Sequence, residues 1–413
     1  MVNSFPPSWI CCQIGARQHY ILPRALHEKK QLACLITDAW VSPQLKLPIP
    51  MKALNKLCQR FHPDLQHASI HAFTASLMRF ELCQSLQKTS KWERTIARNY
   101  WFQKCAVQSL DAISQLSTID SRPTVFAYSY AALDIFRYAK ARGWRTILGQ
   151  IDPATVEEEI VLEEHTKHPQ YLSNWQPAPK EYWNNWQEEC VLADQIVVNS
   201  LWSSQALQKV GIPRNKLNII PHTYIPSEQA KSFVRQYPSA FSTKRPMRVL
   251  FLGQVVLRKG IVAILEAATI LKDESIEFWL VGSQGIAKPQ EAEAYKKVKW
   301  IGSVPRNSTA EFYQLADVFL FPTLSDGFGH TQLEAQAWKL PIIASKFCGA
   351  VVKNEENGLI LSEVSGESIA SALKFCFNNP QQLQNFAIHS ANTITNFSLS
   401  TFQQHLLALG DLF

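Results

Sequence analysis

No stretch of this 413-residue chain approaches the roughly 18 consecutive apolar residues that a membrane-crossing helix needs. The opening run MVNSFPPSWI lacks a basic start and a long apolar core, so it does not read as a secretory signal. No C-x-x-C pair occurs among the nine cysteines, which are odd in number. Scattered, reduced and mostly buried thiols are therefore expected, with neither a disulfide frame nor a zinc site. These absences make the cytosol the expected location. Internal repeats, low-complexity tracts and RRM, zinc-finger or helix-turn-helix signatures are lacking too, and no nucleic-acid partner is expected. What is present is a chain 46% hydrophobic and 18% charged, which excludes disordered and fibrous classes. Its length supports about two or three domains, each able to bury a core.

The net charge of +7 is unevenly spread. Residues 1–150 carry 19 Lys and Arg against 8 Asp and Glu, residues 151–200 carry 2 against 10, and residues 241–413 carry 15 of each. A basic first region followed by an acidic patch can steer toward an anionic acceptor or anionic lipid headgroups; the plainer reading is solvated surface.

Short β-like runs alternate with helical patterns along most of the chain, which predicts parallel sheets covered by helices. The first half offers strands at Trp9–Ile14, Leu32–Thr37, Ser69–Ala72, Thr124–Tyr128, Thr146–Gln150 and Gln195–Asn199. Helices are expected at Glu93–Ser114, Tyr130–Arg142 and Gln176–Cys190. Pro226–Pro246 interrupts this rhythm and reads as a linker. The second half restarts with strands at Met247–Leu252, Phe278–Val281, Val298–Ile301, Val318–Phe321 and Pro341–Ala344. Helices are expected at Gly260–Leu271, Ser308–Leu315 and Thr331–Trp338, and Glu367–Phe413 reads as mostly helical. Two doubly wound, Rossmann-like α/β domains facing across a cleft account for this pattern, with ligand sites at the strands' C-terminal edges.

The segment Asp317 to Ser345 carries the most chemistry. A buried strand runs into Ser325-Asp326-Gly327-Phe328-Gly329, and a helix begins near Thr331. Gly327 and Gly329 allow backbone to approach a ligand, and the helix start offers free N–H groups to an anion such as phosphate. Glu334, about one turn into that helix, can accept hydrogen bonds from vicinal hydroxyls. Upstream, Gly253 follows a strand, and Gln254, Arg258, Lys259 and Gly260 follow it. Two cations there would suit a leaving diphosphate.

Asp326 and Glu334 are separated by seven intervening residues, and D-G-F-G-x-x-x-x-E-A-x-A-x-x-x-P-I-I-A-S resembles the E-x7-E signature of retaining family 4 glycosyltransferases. Asp replaces the family's first Glu, and Leu340 its usual Gly before Pro. The Gly253-to-Gly260 run resembles the family's strand-Gly-Arg-x4-Lys-Gly motif, with Gln254 in place of the Arg and Arg258 as the substitute cation. The resemblance covers residues 245–400 best. It implies a GT-B fold: an acceptor-side domain over residues 1–225, a linker over 226–246, a nucleotide-sugar domain over 247–395, and a C-terminal helix over 396–413 that can pack back on the first domain. It implies transfer of a hexose-like sugar from a nucleotide-diphosphate donor to an acceptor hydroxyl with retained configuration, in polysaccharide or glycolipid biosynthesis. By the same resemblance Asp326 contacts the donor sugar, Gly327, Phe328 and Gly329 lie beside sugar and phosphate, and Glu334 holds the ribose. Lys259 and Arg258 neutralise the diphosphate, Val304 borders the base, and Gly15 lies near donor phosphate and acceptor. No cofactor or metal is implied, since the nucleotide sugar is a co-substrate and no D-x-D element ends a strand.

Asp152, in Gln150-Ile151-Asp152-Pro153, follows a strand where relatives carry a His facing the sugar; its alternative is a turn-starting Asp. Arg17, His19 and His330 are further side chains able to face acceptor, sugar or phosphate, and Trp183 and Trp186 able to stack on an acceptor. The acceptor is expected to be a carbohydrate, lipid or small molecule, with a peripheral contact to anionic membrane as an option. A nucleotide-sugar epimerase, a phosphorylase and a turnover-deficient binding protein are the alternatives on the same fold.

Overall fold

The computed structural model describes residues 9–44, 57–87, 89–115, 122–171, 173–289 and 296–410. The residues behind the reading of the N-terminus, 1–8, and the last of the closing segment, 411–413, lie outside them. Two all-parallel sheets organise the chain. The first contains β1 (Trp9–Gln13), β2 (Leu32–Thr37), β3 (Ile70–Ala72), β4 (Thr124–Tyr128), β5 (Arg145–Gly149), β6 (Gln195–Val198) and β7 (Leu217–Ile219) in the order β3-β2-β1-β4-β5-β6-β7. The second contains β8 (Met247–Leu252), β9 (Ile276–Val281), β10 (Val298–Gly302), β11 (Val318–Phe321), β12 (Ile342–Ala344) and β13 (Gly358–Ile360) in the order β10-β9-β8-β11-β12-β13.

Runs such as Trp-Ile-Cys-Cys-Gln and Val-Phe-Leu-Phe are buried at every position. That is the signature of strands covered on both faces, which parallel sheets require because their crossovers deposit helices on either side. Register is set centrally: Cys11 pairs with Leu35 and Phe126, and Val249 with Phe278 and Val318. In each sheet the strand order reverses once, between β1 and β4 and between β8 and β11. Loops leaving those neighbours diverge, and a crevice opens at their C-terminal ends.

The three-residue strands β7 and β13 were not expected as strands; neither is long enough to display a period. The helix expected from Tyr130 begins at Leu133, because the buried Glu189 carboxylate accepts the N–H groups of Tyr130, Ala132 and Leu133 at 2.7, 2.8 and 3.2 Å. A carboxylate distant in sequence thus caps this helix start. All nine cysteines are unpaired thiols, six of them buried.

Residues 226–246 are strapped to the second domain. Arg235 is buried, and its guanidinium donates to the carbonyls of Tyr313, Ala316 and Trp338. Those carbonyls close the helices Thr309–Leu315 and His330–Ala337, whose last C=O groups have no partner within the helix. The C-terminal helix Leu399–Gly410 lays Phe402, Leu406 and Leu409 on the first domain's helix Ile21–Glu28, and Gln403 Nε2 donates to Glu28 at 2.8 Å. Among the described residues no helix is long and apolar enough to cross a membrane.

Gly260 tests the closeness of this packing. Its φ is +73°, and an added Cβ would lie 2.0 Å from the Pro322 carbonyl oxygen, whereas Gly143, with φ +69°, has nothing within 4 Å. Both Ala variants carry left-handed strain of about 1–2 kcal/mol, and Gly260→Ala adds a backbone clash, for a total loss of roughly 3–4 kcal/mol. Urea unfolding of the two variants checks this; equal losses would refute it.

Candidate functional site

The second-domain site sits where β8 and β11 diverge. After β8 the chain passes Gly253, turns through the short 3-10 segment Leu257–Lys259 and enters the helix Ile261–Ile270. After β11 it passes through Pro322 to Gly329 and enters the helix His330–Ala337. The two loops are tied together: Leu324 N and Thr323 Oγ1 donate to the Arg258 carbonyl at 2.8 and 3.3 Å. That tie brings Lys259 Nζ onto the Asp326 carboxylate, and the ammonium also lies 5.1 Å from the Phe321 ring centre. Asp326 Oδ1 accepts the Phe328 N–H at 3.2 Å. Gly329 has φ +82°, and a Cβ there would also lie 2.5 Å from the Phe321 ring. Glu334 Oε2 accepts the Tyr313 hydroxyl at 2.8 Å.

Burial dominates the electrostatics here. It pushes the Asp326 carboxyl up, but Lys259 and Arg258 more than reverse this and hold it below its ordinary value. Burial lowers Lys259, with Asp326 opposing. The Lys259 and Asp326 side chains are only 12% and 19% exposed, so their pairing is poorly screened by solvent. Glu334 is raised by burial, with Tyr313 and Arg306 pulling it back, and His330 is lowered by burial and by Arg306 to about 4.

Arg258 points across the domain boundary. It donates to the Ser325 carbonyl, and its Nε stands 3.4 Å from Glu157 Oε1 on the first domain's helix Thr155–Lys167. Ser325 Oγ donates to Glu157 Oε2 at 2.9 Å and accepts Trp202 Nε1–H at 3.1 Å. Asp152 lies close by: Tyr130 Oη donates to it at 2.5 Å, Ala154 N at 2.9 Å and Gln150 Nε2 at 3.2 Å. Burial raises Asp152, with Tyr130 opposing. Trp186 is buried and donates to Gln150 Oε1 at 2.9 Å, which removes it from any surface; Trp183 stays on a cavity wall.

Two cavities flank this knot. One, of about 500 Å³ between the domains, is lined by Asp152, Glu157, Trp183, Gln254 and Arg258. The other, of about 380 Å³ in the first domain, is lined by Gly15 and Arg17. Lys259, Asp326, Gly327, Phe328, Gly329 and Glu334 gather around one turn, yet they line neither cavity. Gly253 has an ordinary backbone and room beside Phe251, and Val304 is half-buried against the second domain's core. His19 lies on a left-handed run, Gln18 to Tyr20, from which Gln18 reaches His222 at 2.6 Å. His222 stacks on Phe328 at 4.7 Å.

Residues 237–392 match the family model described as Glycosyl transferases group 1. The Campylobacter jejuni N,N'-diacetylbacillosaminyl-diphospho-undecaprenol alpha-1,3-N-acetylgalactosaminyltransferase is 23% identical over 53% of this chain and 60% of its own length. The D-inositol 3-phosphate glycosyltransferase of Rhodococcus jostii is 24% identical over 50% of each. The chain spans about half the length of the curated relatives it matches. Anabaena HepE in complex with UDP and glucose superposes with a TM-score of 0.61 at 14% identity, over 98% of this chain and 100% of that one. The fold is GT-B.

Within this GT-B molecule several site residues escaped sequence reasoning. Glu157 sits in an acidic run whose charge reads as surface, and only its meeting with Arg258 gives it a place. Tyr313 stands in a segment already aligned, but its hydroxyl's reach to Glu334 has no sequence signal. His222 follows Ile220-Pro221 without any marker. Glu157 makes the boundary pH-sensitive: burial, against the pull of Arg258, raises its carboxyl from 4.5 to about 7. The folded state therefore binds this proton more tightly than the unfolded one, and stability falls as pH rises from about 4.5 to about 7. Glu157→Gln removes that contribution, so its melting temperature should fall less than the wild type's across the window, by about a few degrees. Glu189, raised to about 8, leaves a residual slope in both. Parallel melting curves between pH 4.5 and 7 would contradict this placement.

Proposed function

We propose that this protein is a retaining glycosyltransferase that moves a hexose-like sugar from a nucleoside-diphosphate donor to an acceptor hydroxyl. The observation carrying the proposal is the Lys259–Asp326 pair, enclosed by a glycine-flanked turn at a helix start and followed one turn later by Glu334. The match of residues 237–392 to group 1 glycosyl transferases supports it.

The pair defines how a donor would bind. A diphosphate arriving at Lys259 competes with Asp326 for the ammonium, offering more charge and more acceptor oxygens. Once displaced, the Asp326 carboxylate is free to accept hydrogen bonds from sugar hydroxyls. Glu334, steadied by Tyr313, accepts from the ribose diol. In the transfer step the bond from the sugar's anomeric carbon to the β-phosphate oxygen breaks, and the acceptor oxygen bonds to that carbon on the same face. The acceptor's proton passes to the departing phosphate. Negative charge grows on the leaving diphosphate, where Lys259 and the start of helix His330–Ala337 stabilise it. Arg258 joins them only by leaving Glu157, so donor binding is coupled to the domain boundary.

We further propose that no resident metal is needed, since these cationic groups supply the charge. The acceptor is read as a carbohydrate or lipid, in keeping with the lipid-linked substrate named for the Campylobacter jejuni relative. A cytosolic place with peripheral contact to anionic membrane fits the basic first 150 residues.

A screen of UDP- and GDP-sugars against acceptors, read by mass spectrometry, tests the proposal. Lys259→Ala and Glu334→Ala should each cut transfer by roughly 10²-fold or more while melting cooperatively. EDTA should leave turnover unchanged. Near-normal transfer by both variants would overturn the site assignment, and sugar interconversion without acceptor would make the protein an epimerase.

A further inference from the structure

The cavity of about 380 Å³ in the first domain lies at the C-terminal ends of β1 and β4, where the strand order reverses. That is the crevice in which an open α/β sheet receives ligands. Its walls include Gly15, Arg17, Arg60, Arg98, Asn99 and Ser129. Three guanidiniums in so small a space are unusual for a site built only to take neutral sugar.

Asp38, fully buried behind the wall, explains part of the arrangement. Its Oδ1 accepts the Gly15 N–H at 2.9 Å, and its Oδ2 takes Arg60 and Arg98, the latter at 2.8 Å. One carboxylate cannot neutralise three arginines. It fixes two guanidinium planes and the Gly15 loop relative to one another, and it leaves an excess of two positive charges. Arg98 Nε is buried and has no hydrogen-bond partner among the described residues. Arg17 has no carboxylate ion-pair partner among them either; it lies 5.3 Å from the Tyr128 ring centre, on a loop whose next three residues, Gln18, His19 and Tyr20, hold positive φ. Backbone strain at three successive non-glycine residues is sustained only where the surroundings demand it. The larger interdomain cavity contrasts in chemistry, with Trp92, Trp175, Trp183, Glu157 and Glu158 on its walls.

We infer that the arginine-lined cavity at the β1/β4 crossover binds the phosphate or diphosphate of an anionic acceptor. This rests on the transferase reading for the word acceptor, and on the cavity alone for the anion. A neutral hydroxyl can accept from Arg98 Nε but leaves the excess positive charge uncompensated, whereas a phosphate ester answers both. The same chemistry serves a lipid-carried phosphate and a soluble phosphosugar.

Calorimetric titration of the full chain at low salt tests the assignment, with inorganic pyrophosphate, glucose 1-phosphate, and a polyprenyl phosphate in nonionic micelles as probes. Pyrophosphate should bind the wild type and Lys259→Ala. Arg17→Ala and Arg98→Gln should each weaken it by about tenfold or more, the loss expected for a charge-assisted hydrogen bond. Arg98→Gln leaves Asp38 paired with Arg60, and a melting curve checks that the variant folds. Tighter binding of the polyprenyl phosphate identifies a lipid-carried acceptor, and tighter binding of glucose 1-phosphate a soluble one. Pyrophosphate affinity unchanged in both arginine variants, or lost only in Lys259→Ala, overturns the inference. Titration with UDP and GDP separates the two claims: if neither nucleotide binds while pyrophosphate still depends on the arginines, the transferase reading fails and the anion site stands.

Discussion

The two domains meet where there is no room for a side chain. A Cβ on Gly327 would lie 2.4 Å from the Ile151 carbonyl oxygen. That contact joins the turn after β11 to the turn after β5, and around it Ser203 Oγ donates to the Gly327 carbonyl at 3.2 Å while Trp202 and Glu157 converge on Ser325. Because the crossover crevice of each sheet lies at its strands' C-terminal ends, this contact turns the two crevices toward each other. Glycine at this position is thus a condition on the domain arrangement as well as on any ligand. Asp152, next to Ile151, is placed by the same contact, half-buried and held by Tyr130.

The charges around this contact are arranged as exchangeable pairs. Lys259 rests on Asp326 and Arg258 on Glu157, so the second domain's two cations are each held by a carboxylate, one from its own domain and one from the other. Leaving any of these four largely enclosed groups unpaired would be costly, and an anion that takes over one of the cations frees a carboxylate. On the transferase reading proposed above, one exchange would expose Asp326 to a sugar hydroxyl and the other would loosen the boundary. On that reading, ligand binding and the domain boundary draw on the same set of ion pairs.

Much of the fold was legible because it rests on mostly buried strands and on glycines at fixed offsets from them. β1, β2, β4, β8 and β11 each hold a compact apolar run, such as Val249–Leu252 in β8, and the Asp326-to-Glu334 segment keeps several residue types in fixed register. The rest depends on distance in space. The start of helix Leu133–Ala141 is set by Glu189, more than fifty residues on. Residues 226–246 read as a linker because Pro, Ser and charge break the periodicity, yet Arg235 within them closes two helix ends. Arg258 was read by its position in a motif, which gives its neighbourhood but not its direction.

Charge counts illustrate the same gap most sharply. The ten acidic residues of 151–200 read as solvated surface when only totals are available. Several of them are committed inside the structure, among them Asp152 to Tyr130, Glu157 to Arg258, Glu158 to Ala178 N and Trp183, Glu189 to three backbone N–H groups, and Asp194 to Lys140 and Thr146 N. The basic excess of residues 1–150 is likewise concentrated in part, since Arg17, Arg60 and Arg98 converge on one cavity from a loop, a turn and a long helix. A sum over sequence treats each charge as equally free to act at long range. In the folded chain a paired charge contributes locally and largely cancels at a distance, so the field a partner meets is set by the few charges left in excess. In the first domain those are the arginines that outnumber Asp38.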